Sequence, residues 1–369
     1  MSKLPLRFAL IGAGHLAQSA VIPAFAAIPR HARLVALLSD DPLKRSRLGS
    51  RKGLQVWSED QLSEAMAAGG IDALYIATPN HRHLTQAIAA LRAGVHVLLE
   101  KPMTVTTAEA RRLVDAASRA KARLMVAYRL HCDPTYVEAV RTVRDGAIGD
   151  PRILTASFTM QVRKGDVRTR AQLGGGSVPD LGTYCINAAR AFFGAEPVEV
   201  RALAVGGRDA RSREVDETTG AILRFPGDRI AVFTSSFGAA STSWLEVVGT
   251  EGTLCLDDAF GESGSMEMTV ERGGRTRTRK GKIGDQFAAE IRYFAECIAA
   301  RRNPEPDAQE GLRDIRVIEA VKRAAAGRTA RDLPPLPAVK GPRRGMIRRV
   351  RPDGRKPKLI HVRSPDRPT

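Results

Sequence analysis

Two short polar motifs hold residue types that could take part in proton transfer and ligand binding. Thr78-Pro79-Asn80 opens the first motif, which runs on to His83, and Glu100-Lys101-Pro102 forms the second. Each motif directly follows an apolar run of four or five residues, which is typical of a buried strand. Because open parallel sheets bind ligands at the carboxyl ends of their strands, we expect both motifs to border one site.

A third motif, residues 174–187, reads as a glycine-rich loop that opens a helix. Its members Asp180, Thr183, Tyr184 and Asn187 stand at i, i+3, i+4 and i+7, so one helical face would carry four polar side chains. A face that packs into a core would instead be apolar. We therefore expect this face to contact a ligand.

Glycines after the first apolar run predict a dinucleotide site. Residues 12–17 read G-x-G-x-x-A at the turn from a strand into a helix. Gly12 and Gly14 permit a tight turn and the close approach of a pyrophosphate, to which the helix start offers free N–H donors. Since the turn belongs to a β-α-β unit, we expect Gly12, Gly14, His15 and Leu16 to bind NAD or NADP.

The residues after the second apolar run favour NADP. In proteins that bind NAD an acidic residue takes the ribose 2′-hydroxyl here, whereas a hydroxyl side chain and cations take the 2′-phosphate of NADP. Ser39 holds this position if the strand ends at residue 38, and Lys44 and Arg45 begin the next helix. Asp40 or Asp41 is the alternative, as the reader of an NAD ribose. We expect NADP, with NAD as the alternative.

The spacing of apolar residues predicts an α/β fold in two domains. Apolar runs alternate with helical patterns in the first third of the chain, which indicates a doubly wound parallel sheet of the Rossmann type. After residue 150 the segments alternate apolar and polar residues, which predicts an α+β domain with a mostly antiparallel sheet. We place the Rossmann domain at 1–127, the second domain at 128–336 and a basic tail at 337–369.

The composition indicates a folded chain with a tail of a different kind. Of the 369 residues 43% are hydrophobic and 27% are charged, and the four cysteines stand far apart. These features exclude a disordered chain and a disulfide framework, and they predict reduced thiols in the cytoplasm. No apolar run is long enough to suggest a membrane span.

The net charge is +18, and about half of the excess lies in residues 337–369. This segment mixes Pro, Gly and Arg without any apolar period. We expect it to be disordered and to make at most weak, non-specific contact with nucleic acid. Its removal should leave cofactor binding and turnover nearly unchanged.

Taken together, the motifs resemble those of the Gfo/Idh/MocA family of NAD(P)-dependent oxidoreductases, over residues 4–336. The segments that carry the resemblance are 12–17, 78–80, 100–102, 128–131, 174–187, 285–287 and 310–312. The Tyr-Arg-x-His segment, together with Tyr184 where many relatives have histidine, is most similar to the glucose-fructose oxidoreductase and sugar dehydrogenase branch. The resemblance implies a Rossmann domain and an open-faced sheet domain whose exposed face makes homo-oligomer contacts.

The resemblance also implies that Lys101, Asp180 and Tyr184 line the catalytic site. As hydride leaves a carbinol carbon, a base must take the hydroxyl proton. A free tyrosine is a poor base at neutral pH because its pKa is near 10, and a nearby lysine cation would favour the phenolate. Lys101 and Tyr184 would form this pair, while Asp180 would orient Lys101 or accept substrate hydroxyls.

The remaining polar residues of the motifs are assigned to the two ligands. We expect the cofactor to be contacted by Thr78, Asn80, Glu100 and Lys101. We expect a sugar or polyol substrate to be contacted by Arg129, His131 and Asn187. No metal site is expected, because the spacing of the histidines and cysteines fits no compact zinc or iron centre.

Three functions compete at this point. The leading one is an NAD(P)-dependent oxidoreductase that acts on the CH–OH groups of sugars or polyols. The second is a non-catalytic regulator that senses nucleotide on the same fold, and the third is an enzyme that oxidises one sugar and reduces another with tightly held NADP. The presence of Lys101, Asp180 and Tyr184 favours catalysis, because a sensor needs no proton-transfer residues.

Overall fold

The computed structural model describes residues 4–206, 213–337, 341–352 and 357–366. The chain divides into two compact units. The first unit is formed by Met1–Arg129, Gly284–Leu312 and Arg348–Pro365. The second is formed by Leu130–Ile283, Arg313–Ile347 and Asp366–Thr369. No helix within the described ranges has the length and apolarity that a membrane crossing requires.

The first unit is built on a six-stranded parallel sheet with the order β3-β2-β1-β4-β5-β6. The strands are β1 (Leu6–Ile11), β2 (Ala32–Leu38), β3 (Gln55–Trp57), β4 (Ala73–Ile76), β5 (His96–Glu100) and β6 (Leu124–Ala127). Its early helices are α1 (Ile22–Ala27), α2 (Pro42–Lys52), α3 (Leu62–Ala67), α4 (His83–Arg92) and α5 (Thr107–Arg119). The predicted doubly wound Rossmann sheet is confirmed.

Local sequence signals explain where these elements begin. Thr106 caps α5, because its hydroxyl accepts the Glu109 N–H at 3.2 Å while the Glu109 carboxylate accepts the Thr106 N–H at 3.2 Å. Asp41 caps α2 by accepting the N–H groups of Leu43 and Lys44. The edge strand β3 was not predicted, because it is three residues long and largely exposed.

The second unit holds a nine-stranded sheet with the order β14-β13-β12-β11-β7-β10-β9-β8-β15. Its strands are β7 (Pro151–Thr159), β8 (Glu199–Val205), β9 (Thr218–Phe225), β10 (Arg229–Ser236), β11 (Thr242–Gly249), β12 (Gly252–Asp257), β13 (Ser265–Arg272), β14 (Arg275–Lys282) and β15 (Arg331–Asp332). Strands β7 and β10 pair in parallel and the other neighbours are antiparallel. The mostly antiparallel second domain is therefore confirmed.

One face of this sheet is covered and the other is open. The helices α6 (Pro134–Arg144) and α7 (Thr183–Phe193) pack on the covered face. The open face carries exposed apolar side chains at Ile153, Leu203, Val205, Ile222, Ile230 and Trp244. The register of the strands places all six on the same side of the sheet.

After the second sheet the chain returns to the first unit. Helix α8 (Gln286–Ala299) packs against α1, and the ring centroid of Phe294 lies 6.1 Å from that of Phe8. Helix α9 (Ala308–Gly327) follows. The division of the chain thus differs from the linear boundaries expected at 127 and 336. Apolar periodicity predicts that α8 is a helix, but it carries no information about which sheet the helix covers.

The expected disorder of the tail 337–369 is wrong for the parts of it that the structure describes. Met346 and Ile360 are only 1% and 4% exposed. Arg348 donates to the Glu296 carboxylate at 2.7 Å, and the Val350 carbonyl accepts the Asp285 N–H at 2.9 Å. Single buried side chains and ion pairs with helices of the body order these parts of the tail. Such isolated contacts produce no periodic pattern in the sequence. Residues 338–340, 353–356 and 367–369 lie outside the described ranges.

Candidate active site

The glycine-rich turn lies at the carboxyl end of β1. Gly12 has φ +91°, and a Cβ atom there would stand 2.6 Å from the Ala77 carbonyl oxygen, so only glycine fits. Its N–H donates to the Leu38 carbonyl at 3.0 Å, which ties the turn to the end of β2. A Cβ atom on Gly14 would meet nothing within 4 Å. The turn therefore leaves open space beside backbone N–H groups, as the pyrophosphate of a dinucleotide requires.

The helix after this turn begins with one wide turn. Residues Ala17–Val21 are π-helical and continue directly into α1. His15 and Leu16 lead into it, and the His15 carbonyl accepts the Ser19 hydroxyl at 2.9 Å. Gln18 is buried and donates from Nε2 to the Ala13 carbonyl at 3.0 Å, so its side chain holds the turn from inside.

The end of β2 forms the corner at which the sequence predicts the contact with the ribose 2′ substituent. Ser39 is buried there, and its hydroxyl oxygen accepts the Asp41 N–H at 3.3 Å. The Asp41 carboxylate caps α2, and Lys44 Nζ lies 3.7 Å from its Oδ2. Arg45 donates to the Ser39 carbonyl. A buried serine beside the cations of α2 suits a 2′-phosphate.

Asp40 and Asp41, the two carboxylates that could bind the ribose of NAD, both make contacts within the protein. Asp41 holds the start of α2, as described above. Asp40 accepts the Glu59 N–H at 3.1 Å and the Arg82 guanidinium at 3.0 Å. Both carboxylates thus bind groups of the protein, which weakens the alternative that the corner reads NAD.

His83 joins the two polar motifs at the ends of β4 and β5. Its ring nitrogens lie 3.0 Å from the Thr78 carbonyl oxygen and 3.0 Å from the Pro102 carbonyl oxygen. Burial lowers the pKa of His83 to about 4, although both carbonyl groups favour the cation. At neutral pH the ring is therefore uncharged and donates to one carbonyl only. The sequence places this histidine at the end of the first polar motif but does not predict its role there.

Glu100 belongs to a buried cluster behind the site. The Tyr75 hydroxyl oxygen on β4 lies 2.7 Å from Glu100 Oε1 and 3.3 Å from Glu290 Oε1 on α8. A phenol carries one hydrogen and can donate to one of the two carboxyl groups, so the other contact needs a second hydrogen. Burial first, and then the Glu100 charge, raises the pKa of Glu290 well above its usual value. Both effects favour the protonated form of Glu290 over the carboxylate.

The other expected site residues of the first unit lie close to these groups in sequence. Thr78 is buried and donates from its hydroxyl to Gln86 Oε1 at 2.6 Å, and Asn80 opens a short 3-10 turn. Lys101 directly follows Glu100 at the end of β5. Arg129 is buried, and its guanidinium donates to Gln286 Oε1.

The third motif folds differently from a regular helix. Residues Val178–Gly182 form a π turn that leads into α7. Because a π turn is wider than an α turn, the spacing of Asp180 relative to the residues of α7 departs from that of a regular α-helix. Asp180 accepts the Arg168 guanidinium at 2.8 Å. The sequence does not predict Arg168, because this residue belongs to no motif.

Tyr184 is held by aromatic neighbours of the second unit. Its ring meets the Phe158 ring edge to face, with centroids 5.3 Å apart and planes at 87°. The Phe260 ring centroid lies 5.9 Å away. These contacts fix the ring and leave the side chain half-buried.

His131 and Asn187 form part of a buried polar chain in the second unit. His131 Nε2 lies 2.8 Å from Asn187 Oδ1, and Asn187 Nδ2 donates to Asp314 at 3.0 Å. Arg190, which is fully buried, pairs with Asp314 and also with Glu196. Since the Asn187 NH₂ group donates to Asp314, its amide oxygen accepts a hydrogen bond from the Nε2–H of His131. This hydrogen bond fixes the tautomer of the ring.

No metal centre is found in the part of the chain that the structure describes. There, no group of three or more His, Cys, Asp or Glu side chains is arranged to hold an ion. The histidines named in the sequence analysis instead act in hydrogen bonds, as His83 and His131 do.

Comparison with known proteins identifies related enzymes along most of the chain. The model of an oxidoreductase family with an NAD-binding Rossmann fold (GFO/IDH/MocA) matches residues 6–128, and the model of the GFO/IDH/MocA C-terminal domain matches residues 136–255. The D-xylose 1-dehydrogenase [NADP(+)] of Haloarcula marismortui is 31% identical over 329 residues, which is 87% of this chain and 91% of that protein. The dTDP-3,4-didehydro-2,6-dideoxy-alpha-D-glucose 3-reductase of Streptomyces violaceoruber is 33% identical over 87% of this chain and 95% of its own.

Solved structures of oxidoreductases superpose on most of the chain. The aldose-aldose oxidoreductase from Caulobacter crescentus, crystallised with glycerol, superposes with a TM-score of 0.85 and 33% identity over 90% of this chain and 100% of its own. The 3-ketoreductase KijD10 from Actinomadura kijaniata, in complex with NADP and TDP-benzene, gives a TM-score of 0.79 and 29% identity over 87% of this chain and 98% of its own.

Proposed function

Since the chain belongs to the GFO/IDH/MocA family of oxidoreductases, we propose that it transfers hydride between NADP and a carbinol carbon of a sugar or polyol. The observation that carries this proposal is the open space at the turn of Gly12 and Gly14, which a hydrogen bond ties to Leu38, next to Ser39 and the cations of α2. Relatives at about 30% identity over almost their whole length are sugar dehydrogenases and reductases, which supports the substrate class.

Bound NADP would supply the carbon that takes or gives the hydride. Gly12, Gly14, His15 and Leu16 would hold its pyrophosphate, as the open space at Gly14 suggests. Ser39 and Lys44 would read the 2′-phosphate. Further contacts are assigned to residues at the ends of β4 and β5, namely Thr78, Asn80, Glu100 and Lys101.

Proton transfer is assigned to Lys101 and Tyr184. Tyr184 would take the hydroxyl proton during oxidation and return it during reduction, and Lys101 would be the partner cation that the family resemblance implies. Asp180, whose carboxylate accepts the Arg168 guanidinium, would also receive hydrogen bonds from substrate hydroxyls. Arg129, His131 and Asn187 remain the proposed contacts for the rest of the sugar.

The alternative of a non-catalytic regulator gains no support, because the relatives described above are named as oxidoreductases. Homo-oligomer formation through the open face of the second sheet stays a proposal, supported by its six exposed apolar side chains. A cytoplasmic location, which the free cysteines support, and weak nucleic-acid contact by the tail also stay predictions.

A substrate screen tests the proposed function. Aldoses and polyols are mixed with NADP and the protein, ketoses with NADPH, and the absorbance of the reduced nicotinamide is followed. We expect a change with at least one sugar, and a larger rate with NADP than with NAD at equal concentrations. A protein that binds NADP but turns over no sugar or polyol in either direction would contradict the proposal and favour the regulator.

A further inference from the structure

The C-terminal segment 357–365, which we call the strap, packs on the dinucleotide turn. Its residue Ile360 is almost fully buried. Gln18 accepts the Ile360 N–H at 2.7 Å with Oε1 and donates to the Ile360 carbonyl at 2.9 Å with Nε2. The same Nε2 donates to the Ala13 carbonyl within the glycine-rich turn. One buried side chain thus ties the strap to the loop that would hold the pyrophosphate.

The next residue of the strap reaches the corner at the end of β2. His361 Nδ1 lies 2.5 Å from Asp41 Oδ2, on the carboxylate that caps α2. Burial opposes ionisation of Asp41, but the hydrogen bonds from His361 and from the Lys44 N–H lower its pKa below the usual value. His361 therefore sits beside a charged Asp41, two residues along the chain from Ser39, where the sequence and the contacts place the reading of the 2′ substituent.

The strap adds positive charge to this corner. Lys358 and Arg363 flank the anchored pair of Ile360 and His361, and both are exposed. Both lie within three residues of His361, which contacts Asp41 in this corner. Lys44 and Arg45 on α2 are the other cations here, and the two carboxylates of the corner are already bound by protein groups. A 2′-phosphate carries about two negative charges at neutral pH, so this excess of cations suits NADP and does little for the uncharged 2′-hydroxyl of NAD.

We propose that the strap is part of the cofactor site, where it holds NADP through cationic contacts with the 2′-phosphate. This inference rests on the proposed function. It assigns a role in cofactor choice to a segment that lies outside both stretches matched by the family models, 6–128 and 136–255. It also replaces the sequence-based expectation that the tail has no part in cofactor binding.

The test compares the binding of NADP and NAD to nucleotide-free protein, without any sugar, by isothermal titration. One variant ends at Pro352, and two others, His361→Ala and Lys358→Ala, keep the Ile360 anchor. Arg344→Ala removes a tail charge in the second unit and is the matched control. We expect the truncation to weaken NADP binding at least tenfold and NAD binding no more than twofold, with each point variant weakening NADP severalfold and the control unchanged.

Two results would overturn the inference. The first is an unchanged dissociation constant for NADP in the truncated chain and in both point variants. The second is an equal loss of NADP and NAD in the point variants, which would mean that the strap only supports the shape of the turn. If the unaltered protein binds neither dinucleotide, the proposed function fails rather than the role of the strap. A truncated chain that fails to fold leaves the decision to the two point variants.

Discussion

At the residue scale, the proposed chemistry separates into a cation on the first unit and a phenol on the second. Lys101 follows the largely buried β5, and Tyr184 is fixed by the rings of Phe158 and Phe260. The sequence predicts both residues, because each stands in a motif with a recognisable spacing. It does not predict Arg168 or Glu290, because a partner that is distant in sequence becomes visible only when the chain is folded.

Removal of the Lys101 ammonium should slow turnover without releasing the cofactor. We expect Lys101→Met to lower kcat by on the order of 10² or more, since general acid–base groups typically contribute that much, while the dissociation constant of NADP stays within a few-fold. Tyr184→Phe should lower kcat similarly. Lys121→Met, at an exposed position, is the control. Near-normal turnover of the Lys101 variant would remove Lys101 from the mechanism.

The raised pKa of Glu290 should leave a signature in the stability of the protein. Its pKa is raised in the folded state, so its proton stabilises the fold fully below the unfolded pKa of about 4.5, and this contribution is lost as the pH rises toward the folded pKa. Glu290→Gln keeps the shape without the titration. We expect the Tm of this variant relative to the unaltered protein to rise by a few degrees between pH 5 and pH 8.

The control for this measurement is Glu64→Gln, which lies at an exposed position on α3. Its Tm difference from the unaltered protein should not change with pH. A Glu290→Gln difference that is equally flat would show that Glu290 is ionised in the folded protein.

At the scale of elements, the site is a set of strand ends joined by side chains. Gly12 lies close to the Ala77 carbonyl, which directly follows β4. The His83 ring lies between the carbonyl groups of Thr78 and Pro102, which follow β4 and β5. The sequence predicts these strands, because short apolar runs between helical patterns have few other interpretations. The sequence does not predict β14, because its residues are almost all polar and exposed. It also does not predict the π turns at Ala17–Val21 and Val178–Gly182, because no residue pattern is typical of them.

The connection between β2 and α2 should decide the choice of cofactor. We expect the unaltered protein to bind NADP more tightly than NAD, and the double variant Ser39→Asp, Lys44→Ala to reverse that order. The introduced carboxylate would repel the 2′-phosphate and accept the ribose hydroxyls, while one cation is lost. Isothermal titration of both dinucleotides measures the two affinities. If the unaltered protein bound NAD more tightly, the assignment would be wrong, and Asp40 would be the residue expected to bind the ribose hydroxyls of NAD.

At the scale of the whole molecule, the order of the sequence and the order of the fold diverge. Helix α8 and the segment that begins at Arg348 return to the first unit, although more than 150 residues separate them from β6. Ile360 and Met346 are the buried anchors of a tail that reads as disordered. Composition rules average over a segment, whereas two buried side chains and a few ion pairs suffice to order it once a body exists to receive them.

The open face of the second sheet should hold copies of the chain together. Ile222 lies on β9 among the exposed apolar residues of this face, and Leu203 on the neighbouring strand is 69% exposed. We expect the protein to sediment as an oligomer of the 39.9 kDa chain and Ile222→Lys to shift it toward the monomer. Val56→Lys places the same charge on an exposed apolar position of the first unit and should change nothing. A monomeric unaltered protein would refute this arrangement.

Isotope transfer tests the central claim of hydride exchange between a sugar and NADP most directly. A sugar or polyol that is turned over in the substrate screen is prepared with deuterium on its reacting carbinol carbon and mixed with the protein and NADP. Mass spectrometry then measures the reduced cofactor. The account predicts one deuterium on the nicotinamide ring for each sugar oxidised. Reduced cofactor that carries only protium, with sugar still consumed, would contradict it.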